Sequence, residues 1–144
     1  FIHRAIHWAP LYKWIHSVHH NSVNPSPWSS LSMHPVETFL YHGVVWWHLI
    51  LPSNPLIALF QLNMAGYGAV NGHIGFDKLE LTEGKSLDSH AYLHYLHHKH
   101  FEVNYADGTT ALDKLFGTWH DGSKEAQAQM EARYAKKVAK VNKT

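Results

Sequence analysis

An all-α fold, a helical hairpin capped by histidine-rich helices, is predicted by three observations. Two apolar runs, residues 36–51 and 56–76, follow one another across the turn PSNP. Histidines recur at helical spacings on both sides of that pair. Near the end of the chain, Met130, Tyr134, Val138 and Val141 fall at i, i+4, i+8 and i+11, a thin apolar stripe on one helix face.

Taken in order, residues 1–20 read as helical, with Pro10 as a break between two short pieces. Residues 21–35, NSVNPSPWSSLSMHP, hold three Pro and five Ser and read as a loop. The run VETFLYHGVVWWHLIL follows, closed by Pro35 and Pro52, and then a second run carrying the small residues Ala65, Gly66, Gly68, Ala69 and Gly72. At a rise of about 1.5 Å per residue the two runs span roughly 24 Å and roughly 30 Å, bracketing a hydrocarbon core. The pair fits two buried helices of a soluble bundle, given a mean hydropathy of -0.29 and His42, His48, Gln61, Asn63 and Asn71 within the runs. It equally fits a membrane hairpin, with Trp46, Trp47 and Tyr67 at its tips and small residues for close helix approach.

Beyond Phe76 the chain turns polar: a charged loop over 77–89, a His-loaded helix over 90–102, and a Gly-punctuated segment with a short apolar centre over 103–122. The tail, residues 123–144, carries six Lys+Arg against two Glu and is expected to be a solvated basic helix. In a membrane protein that charge would turn this end toward the cytoplasm. Two units are therefore expected, a metal-binding domain over 1–122 and the tail over 123–144. The opening FIHRAIHWAP shows no initiator Met or basic leader, and a chemically loaded residue arrives at once, so the carboxy-terminal part of a longer protein is expected.

Composition narrows the chemistry. Fifteen of 144 residues are His and none is Cys, which excludes disulfide scaffolds, zinc fingers, thiolate iron–sulfur clusters and a cysteine nucleophile. A net charge of +1 with neutral His leaves no electrostatic footprint for nucleic acid. His3 and His7 are four apart, and HxxHH occurs twice, as His16, His19, His20 and as His94, His97, His98. On a helix these spacings aim the imidazoles of each box in one direction, and clustered neutral imidazoles are metal ligands.

Eight such rings exceed the needs of one ion, so two metals are expected. Ligand type leaves iron, cobalt, nickel, copper and zinc open, and the Glu-x-x-His signature of soluble di-iron bundles is absent. A hairpin returns the chain to its starting side, so the boxes before and after it can meet. His73, near the end of the returning helix, is a plausible ninth ligand. His90 extends the last His face by one turn. His42 and His48 are expected to face lipid or to be satisfied within the run, and His100 and His120 to be ordinary surface residues. A non-redox zinc enzyme and a non-catalytic metal-binding membrane protein are the competing readings.

HRAIH, HSVHH and HYLHH, in that order around a hydrophobic hairpin, resemble the fatty acid hydroxylase and sterol desaturase superfamily of membrane di-iron oxygenases. The HPVE segment (His34, Pro35, Glu37), NGHIGF, and the ending with Asn104, Tyr105, Leu112, Asp113, Leu115, Phe116, Gly117 and Thr118 are also similar to family segments. The resemblance implies that His3, His7, His16, His19, His20, His73, His94, His97 and His98 ligate two iron ions, with zinc as a substitute. It implies dioxygen-dependent hydroxylation or desaturation of a sterol or fatty acid lipid, with a weak lean toward sterols. Electrons would come from NAD(P)H through a b-type cytochrome or ferredoxin. The architecture it implies is an integral-membrane helical hairpin over about 36–76 with a His-rich cap on the cytosolic face, in a bacterial inner membrane or endoplasmic reticulum.

Overall fold

The computed structural model describes residues 1–106 and 111–142. The NYADG segment and the basic tail therefore each lie partly outside the described residues. The amino-terminal helical stretch is divided into α1 (Ile2–Ile6), α2 (Ala9–Leu11), a π-helical turn (Tyr12–His16) and α3 (Ser17–His20). Pro10 sits in the first turn of α2, where its missing N–H costs nothing, and the break itself falls at His7 and Trp8. A single π turn changes the helical phase, and such turns cluster at functional sites. This one ends on His16.

The proline-bearing loop contains one 3-10 turn (Pro27–Ser29) closed by a reciprocal Ser26 and Ser29 capping box. The apolar pair then departs from expectation. The first run forms α4 (Pro35–Tyr41) and continues as a 3-10 helix (His42–Leu49), because Gly43, the β-branched Val44 and Val45, and the bulky Trp46 and Trp47 weaken an α-helix from within. The second run is α5 (Pro55–Gly72), started by Asn54, whose side chain accepts from Leu56 N–H at 3.0 Å. Among the described residues no helix is long and apolar enough to cross a membrane, so the expected membrane-spanning hairpin is not formed. The first run is too broken, and Gln61, Asn63, Asn71 and the glycines lower the hydropathy of the second. The two arms nonetheless pair: Tyr41 Oη donates to Ala65 O at 2.9 Å, and His48 Nε2 lies 2.7 Å from Gln61 Oε1. Of the two expectations for His48, lipid-facing or satisfied, the structure shows the second: its ring pins the turn through Ser53 and Gln61.

The second correction concerns residues 77–89, expected to be a charged loop in an all-α fold. They form an antiparallel hairpin, β1 (Lys78–Thr82) and β2 (Lys85–Asp88), in which Leu79 pairs with Leu87 and Lys78 with Asp88. Lys78, Glu80 and Thr82 alternate with Leu79 and Leu81, a period of two hidden under charge, and Gly84 supplies the turn at φ +75°. Ser89 ties the hairpin base to the body. Its N–H donates to Asp77 O at 2.7 Å, its Oγ donates to Phe76 O at 2.6 Å, and its carbonyl accepts from Asn71 Nδ2 at 3.0 Å.

Helix α6 (Ala91–His100) carries the last His box between two left-handed residues, His90 (φ 58°) and Phe101 (φ 62°). Asn104, also at positive φ, is buried and bridges segments: its Nδ2 donates to Leu93 O and His120 O, and its Oδ1 accepts from His120 N–H. After α7 (Leu112–Leu115), Gly122 at φ +87° admits α8 (Lys124–Val141), since a Cβ there would lie 2.5 Å from Tyr92 Oη. Helix α8 docks through buried Met130 and through Arg133, whose guanidinium donates to Gly117 O and Glu102 O, while Val138 and Val141 stay exposed. His120, expected at the surface, is buried and stacked on His100 at 5.0 Å.

Few aliphatic side chains are fully enclosed. Among the described residues, Ile6, Ala69, Ala91, Leu93, Leu96, Val103 and Met130 make up the buried apolar set, whereas His16, His19, His20, His73, His97, His98 and His120 are all buried. The centre of the protein is imidazole rather than hydrocarbon.

Candidate metal centre

The nine sequence-predicted rings come together in two groups. His3, His7, His16, His20 and His97 form one, and His19, His73, His94 and His98 the other; within each group one ligand nitrogen per ring lies within 4.8 Å of all the rest. Each HxxHH box is split between the groups. His16 and His20, four apart, serve the first group and His19 the second; His94 and His98 serve the second and His97 the first. A helix therefore places one metal position on either side of a single His face, joined across it by ring contacts such as His19 to His20 at 5.9 Å and His97 to His98 at 5.9 Å. His90, His42, His48, His100, His120 and His34 join neither group; His34 instead caps α4, accepting from Val36 N–H at 3.2 Å.

The hydrogen bonds at the outer edge of the rings decide what lies inside. The Nδ1 of His3 faces Tyr105 O at 2.7 Å, His19 faces Ser32 O at 3.3 Å, and His73 faces Ala69 O at 2.7 Å. His97 faces Val103 O at 2.6 Å and His98 faces Ser22 O at 3.0 Å. His16 differs in facing a carboxylate, Glu37 Oε1, at 2.6 Å. A carbonyl oxygen only accepts, so the five carbonyl-facing rings carry their proton on Nδ1 and present a bare Nε2 inward, and His16 does the same when the Glu37 carboxyl is ionised. Those nitrogens crowd together: His20 Nε2 lies 3.1 Å from His16 Nε2 and from His97 Nε2, and His98 Nε2 lies 3.1 Å from His94 Nε2. His73 Nε2 is buried without any partner.

Converging lone pairs with too few protons between them repel, unless a cation takes the space. Two nitrogens bound about 2.1 Å from one ion at a right angle stand about 3 Å apart, close to the spacing seen. Carbonyl- or carboxylate-anchored Nδ1–H is also how metal-bound imidazoles are oriented. The residues fit a pair of imidazole-bound metal ions.

Burial sets the protonation of the site. It lowers His3, His16 and His19 to about 4, His98 to about 3 and His7 to about 2, with the positive charge of neighbouring rings adding to the fall at His7 and His98. His20, His73, His94 and His97 are shifted down by burial as well. The rings are thus neutral near pH 7, the form that binds metal. Burial raises the Glu37 carboxyl to about 7, opposed by the charges of His19 and His34.

A cavity of about 1000 Å³ opens onto both groups, reaching His3 and His16 of the first and His19, His73 and His94 of the second. Its apolar walls come from Phe1, Ile2 and Ile6, from Met33 and Leu40, and from Leu79 and Leu87 of the β-hairpin. That volume is at the upper end of ordinary small-molecule sites, about 300–1,000 Å³.

Three supporting groups carried no role in the sequence reading. Glu37 backs His16. Tyr105 packs its ring 4.9 Å from His7 and 5.5 Å from His97, under the Arg4 guanidinium at 4.4 Å. Asp113, buried, accepts from Tyr105 N–H, Ala106 N–H, Thr118 Oγ1 and Arg4 Nη2, so it locks the segment whose carbonyl orients His3. Their sequence signal was membership of the HPVE segment (Glu37), the Asn-Tyr pair (Tyr105) and the LDKLFGT run (Asp113), which names residues but not contacts.

The sequence profile of the fatty acid hydroxylase family matches residues 1–118. A Delta(7)-sterol 5(6)-desaturase of Gibberella zeae is 30% identical over 97% of this chain and 40% of its own length. A Delta(7)-sterol 5(6)-desaturase of Saccharomyces cerevisiae is 32% identical over 81% of this chain and 31% of its own. Methylsterol monooxygenase 1 of Gallus gallus is 28% identical over 99% of this chain and 48% of its own. The chain thus spans about a third to a half of the length of these curated relatives. No solved structure matches it. The His boxes at the centre of the fold lie within the matched span, and the chain belongs to the fatty acid hydroxylase family.

Proposed function

We propose that this chain carries the catalytic centre of a two-iron oxidoreductase that uses dioxygen to hydroxylate or desaturate a lipid of the sterol class. The observation that carries the reading is the pairing of two inward-facing imidazole groups with one large apolar cavity that touches both. The relatives are named as sterol desaturases and a methylsterol monooxygenase, which supports the substrate class.

Bound iron would supply the redox chemistry for an unactivated C–H bond, which no side chain here can oxidise. The protein's own work is positional. Backbone carbonyls and Glu37 hold six rings with Nδ1–H outward and Nε2 inward, so the donors need no reorganisation when metal binds. The apolar walls exclude water and lay a fused-ring lipid against His3, His19 and His73. Tyr105 and the Arg4 guanidinium stacked on it close the side of the first group.

Electrons are proposed to come from NAD(P)H through a b-type cytochrome or ferredoxin-type donor. A membrane contact is proposed through the apolar surface around the arms, where Trp47 is 61% exposed, Leu49 80% and Phe60 64%, more apolar surface than a water-facing helix pair needs.

The reading is tested by iron analysis and lipid turnover of the full-length protein. Wild type is expected to hold about two irons and to oxidise a sterol only with dioxygen and reductant. His97→Ala is expected to lower turnover by at least 100-fold while the protein stays folded. Activity retained with zinc alone and no reductant would replace this reading with the zinc-enzyme one.

A further inference from the structure

Six of the nine rings have a defined Nδ1 acceptor, and five of those acceptors are neutral backbone carbonyls. The sixth is the carboxylate of Glu37, 2.6 Å from His16 Nδ1, on a residue that is 4% exposed. Its other oxygen, Oε2, is buried with no hydrogen-bond partner among the described residues, so the bond to His16 is the contact that holds this carboxyl in the interior. Such burial is costly unless the carboxyl is hydrogen-bonded, and the His16 ring supplies that bond. A charged acceptor draws the Nδ1 proton outward more strongly than a carbonyl does and leaves more electron density on Nε2. The His16 Nε2 so enriched lies in the five-ring group, 3.1 Å from His20 Nε2, while the four-ring group has only carbonyl acceptors on the rings whose Nδ1 contacts are defined.

We propose that Glu37 is a positioning residue that acts through His16 to make the two metal positions unequal, the His3/His7/His16/His20/His97 position being the stronger donor set. The inference rests on the two-metal reading above. It predicts that a metal ion titrated into the metal-free protein binds in two distinguishable steps.

The test is a cobalt(II) titration of the metal-free full-length protein against a competing chelator, read by bound metal and by the visible cobalt spectrum. Wild type, Glu37→Gln and Glu37→Asp are compared. Gln keeps the shape and a hydrogen-bond acceptor but removes the charge. In Glu37→Gln one step is expected to weaken 10- to 100-fold, with a shift of the cobalt bands belonging to that step, while the other step holds its wild-type affinity. Glu37→Asp is expected to recover part of the loss. Unchanged affinities and bands in Glu37→Gln would overturn the proposal, as would equal weakening of both steps. A wild type that binds fewer than two ions would instead overturn the two-metal reading, so the two failures are told apart.

Discussion

At the scale of single residues, the rings of this centre are defined by what stands behind them. His97 can point a bare Nε2 inward only because Val103 O accepts the ring's one N–H at Nδ1, and Val103 O is placed there by the positive-φ turns at Phe101 and Asn104. The same burial governs stability against pH in the metal-free protein. His3, His16 and His19 titrate at about 4 when folded, against an ordinary 6.5. Between those values the unfolded chain takes up protons that the folded chain refuses. Stability is therefore full above pH 6.5 and is expected to fall as pH drops toward 4. Glu37, titrating at about 7, opposes this by holding a proton between pH 7 and its ordinary 4.5, but it is one carboxyl against nine lowered imidazoles. Urea denaturation of the metal-free protein at pH 7.5, 6 and 5 tests this; rising stability on acidification would show that the rings are open to water.

At the scale of elements, the β-hairpin is the most instructive case. Its strands are solvent-exposed along their length, yet Leu79 and Leu87, directly paired, both line the cavity. Two strands alone are marginal in water, so its placement depends on the Ser89 clasp. Ser89→Ala removes the bond to Phe76 O, a loss of about 1 kcal/mol, and is expected to speed amide exchange in residues 78–88 while leaving α6 protected. Unchanged exchange in the hairpin would show that other contacts hold it.

This element also marks where the sequence was readable. The His faces were legible because i, i+3 and i+4 recur in boxes too regular for packing to require. The hairpin was not, because Lys78, Glu80, Lys85 and Asp88 masked a period of two, and the first apolar run looked continuous because Gly43 and the β-branched pair after it interrupt a helix without interrupting hydropathy. The acceptors behind the rings were invisible for a simpler reason: Ser22, Ser32, Ala69, Val103 and Tyr105 contribute backbone oxygens, and any residue has one.

At the scale of the whole molecule, the scarcity of buried hydrocarbon means that apolar burial alone holds the fold weakly. Metal bound to the folded chain and not to the unfolded one would add its binding free energy to stability. Removing metal with a chelator is expected to lower the melting temperature by more than 10 °C, with recovery on adding iron(II) or zinc(II); an unchanged melting curve would mean that the imidazoles are stable without a cation.

His7 and His97, 90 residues apart, face one another at 3.1 Å between Nε2 atoms. An ion gripping both would staple the beginning of the chain to a helix near its end, closing a ring that encloses α4, α5 and the β-hairpin. Such a closure takes entropy from the unfolded chain much as a disulfide does, on the order of 4 kcal/mol for a loop of that size. These 144 residues hold no cysteine, so bound metal ions would be their cross-links, and the group around His7 cannot close until α6 has been made.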